Sequence, residues 1–567
     1  MRFYDALWAL ILNLFVDLTA SRCLLAPSDP EWPSTAIWSG LNETVGGKLL
    51  ATIPIAASCH DRFAQYTSNL STYNGSVCDA LRSTWFYPET HLSSPSSPMA
   101  YSFTNNSCNP WVERDVPCTI GYDVAYTINA TQISDLRHGL EFAKDHKIRL
   151  IIRNTGHDYL GKSTGAHALG LWTHQLKLLE VGTYNTTNYT GPAIRIGAGV
   201  LAIEAYRFAS SHGLMVVGGN CPTVGIAGGY SQGGGHGPLI SKYGMGADQV
   251  LEWDVLTADG NIVTANATSH SDLFWALRGG GGGTFGVVVS MTVKAFPDIY
   301  VSTASLTAVD NGTNTDIIYD FMKSWLRALP QIVDAGVHAL WFIGPSGFSL
   351  VPAFAPGLHK DELDALLQVP IEEMKKAGLH YQYSSNESAT FLSAYESLAT
   401  GCNVSDYNIG GRLIPRSLVL SQTDRLVEAI RYIGSEAILS GVSFNARAGV
   451  ISPDEVAVNP YFRKALFNAF IGVPINYTSW TANQATLDAI TTDLLPALEV
   501  LTPHGGVYLN EADSRQPDFQ STFYRDHYDR LLQIKRLYDP DNIFYAKIAV
   551  GSEAWEQQLD KRLCSLE

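Results

Sequence analysis

Short apolar runs and amphipathic stretches alternate along the middle of this chain, and three of the runs empty into glycine-rich segments. Tyr122–Ile128 predicts a strand, the spacing of apolar residues over Ser134–Asp145 an amphipathic helix, and Arg149–Arg153 a buried strand. That last strand runs straight into RNTGHDYLGKSTG, residues 153–165. Ala193–Gly197 predicts a further strand and Leu201–His212 a helix closing at Gly213, a residue suited to the left-handed turn after a helix. Met215–Gly218 then leads into CPTVGIAGGYSQGGGHG, residues 221–237. Val250–Thr257 and Gly260–Thr264 are joined by a turn at Asp259-Gly260, and Asp272–Leu277 precedes RGGGGGTFGVV, residues 278–288, which opens the strand Val287–Val293.

Beyond Pro297 the texture changes. Strand-like pieces at Val337–Ile343, Ser349–Ala355 and His380–Tyr383 alternate with helical patterns at Ile317–Leu329, Glu362–Ala377 and Gln422–Ser435. The alternation predicts an antiparallel sheet covered by helices, a second domain over residues 300–500. Tyr524–Tyr538 reads as a helix followed by a turn at Asp539-Pro540-Asp541. Residues 21–115, rich in Pro, Ser, Asn and Cys, read as an extended, disulfide-stapled segment. The expected division is 1–20 as signal peptide, 21–115 as that segment, 116–299 as a cofactor domain, 300–500 as a substrate domain and 501–567 as a return to the cofactor domain. The fold class is α+β.

Composition narrows the function. With 46% hydrophobic and 16% charged residues in 567, the chain can bury more than one core, and a net charge of −16 argues against nucleic acid. Arg2, the apolar run Leu7–Val16 and the small residues Thr19-Ala20-Ser21 look like a cleavable secretory signal. No later stretch has the length for a membrane span. Twelve sequons, at Asn42, Asn69, Asn74, Asn105, Asn129, Asn185, Asn188, Asn266, Asn311, Asn386, Asn403 and Asn476, predict a secreted glycoprotein. Eight cysteines suit that compartment. Cys59 with Cys78 and Cys108 with Cys118 are local pairs; Cys23, Cys402 and Cys564 are scattered, one of them open to being unpaired, and Cys221 stands apart in its glycine loop. A monomer is expected, and no metal site is read.

The three glycine loops carry the chemistry. Their free amides can cradle a pyrophosphate, and missing side chains let a planar ring lie against the backbone. No GxGxxG follows a strand in the nicotinamide pattern. His157 and Cys221, both nucleophilic, suggest a tethered cofactor.

These segments, with YLNEAD at 508–513 and LYDPDNIFY at 537–545, resemble the berberine-bridge-enzyme-like branch of the vanillyl-alcohol-oxidase flavoproteins, the secreted fungal members above all. The resemblance implies a two-domain flavoprotein with FAD bonded at its 8α-methyl to His157 and at C6 to Cys221. It further implies that Arg153, Asn154, Thr155 and Gly156 wrap the pyrophosphate with Asp158 and Ser163 nearby. Thr223, Gly225 and Gly228 would line the isoalloxazine edge, and Gly281, Gly282 and Val287 would run along the ADP half. Val224 matches a position that gates oxygen, and valine there implies an oxidase yielding hydrogen peroxide from a small alcohol, amine or secondary-metabolite intermediate.

The base is the open point. Plant members carry a glutamate on a strand, whereas the matching stretch here, Arg463–Gly472, holds no acid. Tyr508 and Asn510 match a Tyr-x-Asn element; Tyr508 serves either proton transfer or packing, and His236 either touches the flavin or stands behind it. In a strand Glu511 would face away from Asn510, so it is read as a supporting residue. The fungal members that this chain resembles usually carry several cysteines before a Trp-Pro, whereas it keeps only Cys23 ahead of Trp32-Pro33, a departure that implies no stapling disulfide there. Two rival readings remain: a flavin-tethered cyclase or desaturase, and a glycosylated binding protein with vestigial flavin chemistry.

Overall fold

Leu150–Arg153 forms the strand that its apolar run predicts and pairs in parallel with Leu169–Trp172, which pairs in parallel with Tyr126–Asn129. In the computed structural model, which describes residues 23–64, 71–309, 316–344, 347–398, 402–448 and 452–566, Leu49–Ala51 adds an antiparallel edge to these three. The expected signal peptide lies outside the described residues, as do the sequons at Asn69 and Asn311. Helix Ile133–Asp145 buries Leu136, Leu140 and Ala143 against Ile128, Leu150 and Leu171. Each such leucine contributes about 2–3 kcal/mol, enough to fix the helix over the sheet.

A second, antiparallel sheet runs in the order Leu179–Asn185, Thr190–Gly197, Val287–Lys294, Val250–Leu256, Ile262–Asn266. The first glycine loop leaves the first sheet and the third enters the second sheet, while the second loop follows Leu214–Met215, which pairs with Phe296–Pro297 in a separate two-stranded sheet. The third sheet is antiparallel throughout, in the order Tyr381–Ser388, Val301–Val309, Gly347–Pro356, His338–Gly344, Ile438–Ser443, Ala465–Pro474, Tyr407–Pro415. Helices Asp316–Asp334, Lys360–Lys376 and Thr423–Glu436 cover it, with Trp325, Leu363 and Ile430 in one core with Trp341 and Leu350.

Several expectations need correction. Residues 21–115 are not a mere extended leader: they hold helices Thr35–Thr44 and Gly75–Thr84, and Leu49–Ala51 belongs to the first sheet. The strand at Tyr122 begins only at Tyr126, because Asp123 N–H closes a turn on the Ile120 carbonyl (3.0 Å). The helix Tyr524–Tyr538 starts at Tyr528, after a break at Arg525 with φ of 51°. Cys59–Cys78 and Cys108–Cys118 pair as read. Cys23 is bonded to Cys564 across 541 residues, so the staple thought absent ties the two ends of the described chain instead.

Two contacts lock the halves together. Arg463 grips Asp248 through both guanidinium nitrogens (2.8 and 2.5 Å), the two side chains 9% and 1% exposed. Buried Lys535 pairs with Asp539 and donates to the carbonyls of Thr284 (2.8 Å) and Phe544 (3.0 Å), seating the C-terminal helix on the glycine run.

Candidate active site

The first loop leaves its strand over a buried arginine. Arg153 is 1% exposed and donates to the carbonyls of His91 and Ser94 (both 3.1 Å). Gly156 bends back over it at φ of 92°, and a β-carbon there would lie 2.7 Å from the guanidinium. Glycine is required on both counts. Asn154 donates to Thr173 Oγ1 (3.0 Å) and to the Ala198 carbonyl, and its buried Oδ1 has no partner. A β-carbon on Gly225 would sit 1.9 Å from that oxygen, so the first two glycine loops meet edge to edge.

His157 follows, with Nε2 2.7 Å from Thr223 Oγ1. Burial, then the neighbouring His91 and Arg153, lower its pKa to about 3, so the ring is neutral and nucleophilic at any working pH. Asp158 accepts from the Leu160 and Lys162 amides (3.0 and 2.5 Å).

The second loop is pinned to helix Ala202–Ser210, whose Ala202 and Ile203 amides donate to the carbonyls of Val224 (2.9 Å) and Pro222 (3.1 Å). Cys221 is not the isolated thiol expected from sequence: its sulfur is bonded to Cys402, which the chain brings across from the substrate side. In the third loop the amides of Gly279 and Gly281 both donate to the Gln232 carbonyl (2.9 Å each).

A cavity of about 350 Å³ opens between the loops. Asn154, Thr155, Gly156, His157, Asp158, Ser163, Cys221, Val224, Gly225, Gly228, Gly282, His236, Tyr508 and Asn510 all line it. Four expected residues do not. Arg153 lies beneath the loop, Thr223 behind His157, Gly281 is turned to Gln232, and Val287 is fully buried against the first sheet's core.

At the other end of this cavity the C-terminal segment supplies polar groups. Tyr508 leads into a tight 3₁₀ turn, Leu509–Glu511, not a strand, so Asn510 and Glu511 both face the cavity, contrary to the alternation read from sequence. Asn510 Nδ2 donates to Tyr508 Oη and to the Gly229 carbonyl (both 2.8 Å). Burial holds the Tyr508 phenol far above its ordinary pKa, which keeps its proton on and suits a hydrogen-bond donor better than a base. His236 Nε2 donates to Glu511 Oε1 (2.7 Å), and Glu511 Oε2 accepts from Asn468 Nδ2 (2.6 Å). His236 Nδ1 is buried without a partner. Asn468 lies on Ala465–Pro474, the strand on which a glutamate was looked for, and its amide holds the Glu511 carboxylate at the cavity. Glu511 was in view in the sequence but was misjudged on its local conformation; Asn468 and Cys402 had no local signal.

The cradle fits a flavin. Backbone approaches the cavity at Gly225, Gly228, Gly229, Gly282 and Gly283, and nothing lies within 4 Å of a β-carbon placed on Gly229 or Gly283. The partnerless Asn154 Oδ1 and Tyr230 hydroxyl beside it are polar groups without a protein partner. Among the described residues no group of three or more His, Cys, Asp or Glu could hold a metal ion, and no helix is long and apolar enough to cross a membrane.

Comparison with known proteins agrees with this geometry. Residues 124–266 match the FAD binding domain family, and residues 507–551 the berberine and berberine-like family. The chain is 41% identical over 548 residues to the FAD-linked oxidoreductase sor8 of Hypocrea jecorina (96% of this chain, 94% of the relative). It is 38% identical over 561 residues to the bifunctional decalin synthase calF of Penicillium decumbens (96% of each chain). The crystal structure of the VAO-type flavoprotein MtVAO615 from Myceliophthora thermophila superposes with a TM-score of 0.89 at 35% identity, covering 96% of this chain and 100% of that one. A glucooligosaccharide oxidase from Acremonium strictum with 6-S-cysteinyl, 8α-N1-histidyl FAD shares the fold (TM-score 0.63, 20% identity, covering 76% of this chain and 92% of that one). The chain belongs to the berberine-bridge-like VAO-type flavoproteins and is an FAD-dependent oxidoreductase.

Proposed function

We propose that the protein is a secreted oxidase that takes a hydride from a small-molecule alcohol or amine and passes the electrons to oxygen as hydrogen peroxide. The observation that carries this reading is the convergence of His157, Val224, Asn510 and the His236–Glu511 pair on one glycine-walled cavity. When bound, FAD supplies the hydride acceptor. His157, neutral by burial, would hold it at the 8α-methyl. A second bond from Cys221 belongs to the form in which the Cys221–Cys402 disulfide is open.

The remaining work falls to this chain's own groups. Asn510 orients the Tyr508 hydroxyl, whose proton can hold the substrate oxygen or nitrogen in place. Glu511, which lines the cavity and is held by His236 through Nε2, would take the proton that the substrate releases as its hydride departs. Glu511 in turn is oriented by Asn468. Val224, which lines the cavity, would leave room for oxygen beside a bound flavin. Four disulfides among the described residues and exposed sequons at Asn74, Asn185, Asn188 and Asn476 support a glycosylated product of the secretory pathway.

Acid precipitation tests the tether: yellow colour is expected in the pellet of the wild type, and colour in its supernatant refutes attachment. Peroxide release over a panel of alcohols and amines tests the reaction. A flavin-linked cyclase is the second reading, favoured by an apolar chamber next to the flavin cavity. Turnover with no oxygen uptake would select it.

A further inference from the structure

Beyond the flavin cavity lies a second one of about 510 Å³. The two share walls at Tyr159, Asn220, Leu340, Cys402, Ser440 and Phe470, so a molecule can occupy the second with one end in the first. Its lining is dominated by Phe342, Phe354, Leu398, Ile409 and Ile438. Among the described lining residues Asp406 is the sole charged group; no lysine, arginine or histidine answers it there. Its carboxylate is held by its own amide and that of Tyr407, and burial raises its pKa above the usual aspartate value. The Tyr159 and Tyr407 rings stand close enough to feel its charge.

We propose that this cavity binds the body of an apolar substrate carrying a protonated amine, with the ammonium paired to Asp406 between the aromatic faces of Tyr159 and Tyr407. The position of the reacting carbon, beside Tyr508 and His236, rests on the oxidase reading above. An uncompensated carboxylate in an apolar chamber is a costly group for the free protein, and a ligand cation relieves that cost. Aromatic rings beside a carboxylate add cation–π attraction, which favours ammonium over hydroxyl. An oligosaccharide is disfavoured, because its hydroxyls would lose water against Phe342, Phe354, Ile409 and Ile438 without gaining partners.

The test is calorimetric binding of 4-phenylbutylamine, its neutral counterpart 4-phenylbutan-1-ol, and cellobiose to the flavin-loaded wild type, Asp406→Asn and Leu398→Trp proteins at neutral pH. The wild type is expected to prefer the amine over the alcohol by about tenfold to a hundredfold, the span of one charged hydrogen bond. Asp406→Asn loses that preference while keeping its affinity for the alcohol, and Leu398→Trp, which fills the chamber, binds neither. Equal amine affinity in wild type and Asp406→Asn overturns the proposal, as does absence of amine binding or tighter binding of cellobiose. Pellet colour and peroxide release are read on the same samples. A yellow, peroxide-forming enzyme indifferent to Asp406 sinks this inference alone, whereas a colourless one sinks the oxidase reading.

Discussion

Asp123 sits behind the first flavin loop, 4% exposed, with Oδ1 unpartnered, and Arg153 is the one charge that opposes its burial. Burial outweighs that attraction and lifts its pKa from 3.8 to about 7. Replacing it with asparagine keeps the shape and removes the ionisation. Below pH 4 the folded and unfolded chains both hold the proton, so wild type and Asp123→Asn differ by a constant. As pH rises the unfolded chain releases its proton first, and folding of the wild type weakens until the folded carboxyl ionises near pH 7. At about 1.4 kcal/mol for each tenfold difference in proton affinity, the loss reaches about 4 kcal/mol. Arg153, lowered by burial to about 10, keeps its charge at pH 8 and does not blur the comparison.

Asp123→Asn is therefore expected to gain up to about 4 kcal/mol on the wild type between pH 4 and pH 8. Urea unfolding of the flavin-loaded proteins, followed by tryptophan fluorescence at matched pH values, measures the difference. An offset that does not change with pH refutes the reasoning, since it would mean that Asp123 is as ionised in the folded chain as in the unfolded one. A relative loss for the variant at pH 8 would go further and show that the Arg153 pairing is the larger effect.

Three further outcomes follow from the site. Glu511→Gln should lower kcat about a hundredfold or more with flavin content unchanged, and Asn468→Ala less, in steady-state peroxide assays; a kcat within threefold of wild type would remove the pair from the reaction. Gly225→Ala forces its β-carbon onto Asn154, whose amide is already committed to Thr173 and Ala198, and should purify with little flavin, whereas Gly182→Ala, with nothing within 4 Å, should load normally. Cys402→Ser frees Cys221, so in a His157→Ala background its acid pellet should turn yellow; a colourless pellet would show that Cys221 does not reach the ring.

How far the sequence carried these conclusions differs by element. The loop residues were legible because glycine and nucleophile types are local signals: Gly156, His157, Gly225 and Gly228 all reach the cavity. Gly281 and Val287 were misplaced because a glycine run does not say which of its members faces a ligand and which packs; the pull of the Gln232 carbonyl decides that, from 49 residues upstream of Gly281. Glu511 was misread because strand alternation was assumed where the chain makes a 3₁₀ turn. The strand Tyr407–Pro415 escaped notice and Ala465–Pro474 was located only through the family resemblance, since buried on both faces they show no period of two. The Cys221–Cys402 bond joins residues 181 apart, and no local pattern announces it.

The groups proposed to react come from four separate stretches, around 157, 221–236, 468 and 508–511, and the structure explains why they stay in register. His236 and Glu511 lie 275 residues apart in the chain, and Asn468 belongs to the substrate sheet. A shift of the substrate sheet against the flavin loops would break that hydrogen-bonded chain at Asn468 before it disturbed either core. Arg463, five residues earlier and next to that strand, is clamped to Asp248 in a buried bidentate pair, which resists such a shift. Lys535 does the same for the C-terminal segment through the Thr284 carbonyl. Removing one member of a buried pair costs about 3–5 kcal/mol because the other is left charged and unsolvated. The two clamps thus hold the substrate sheet and the C-terminal segment against the glycine loops at the spacing the proposed proton path needs.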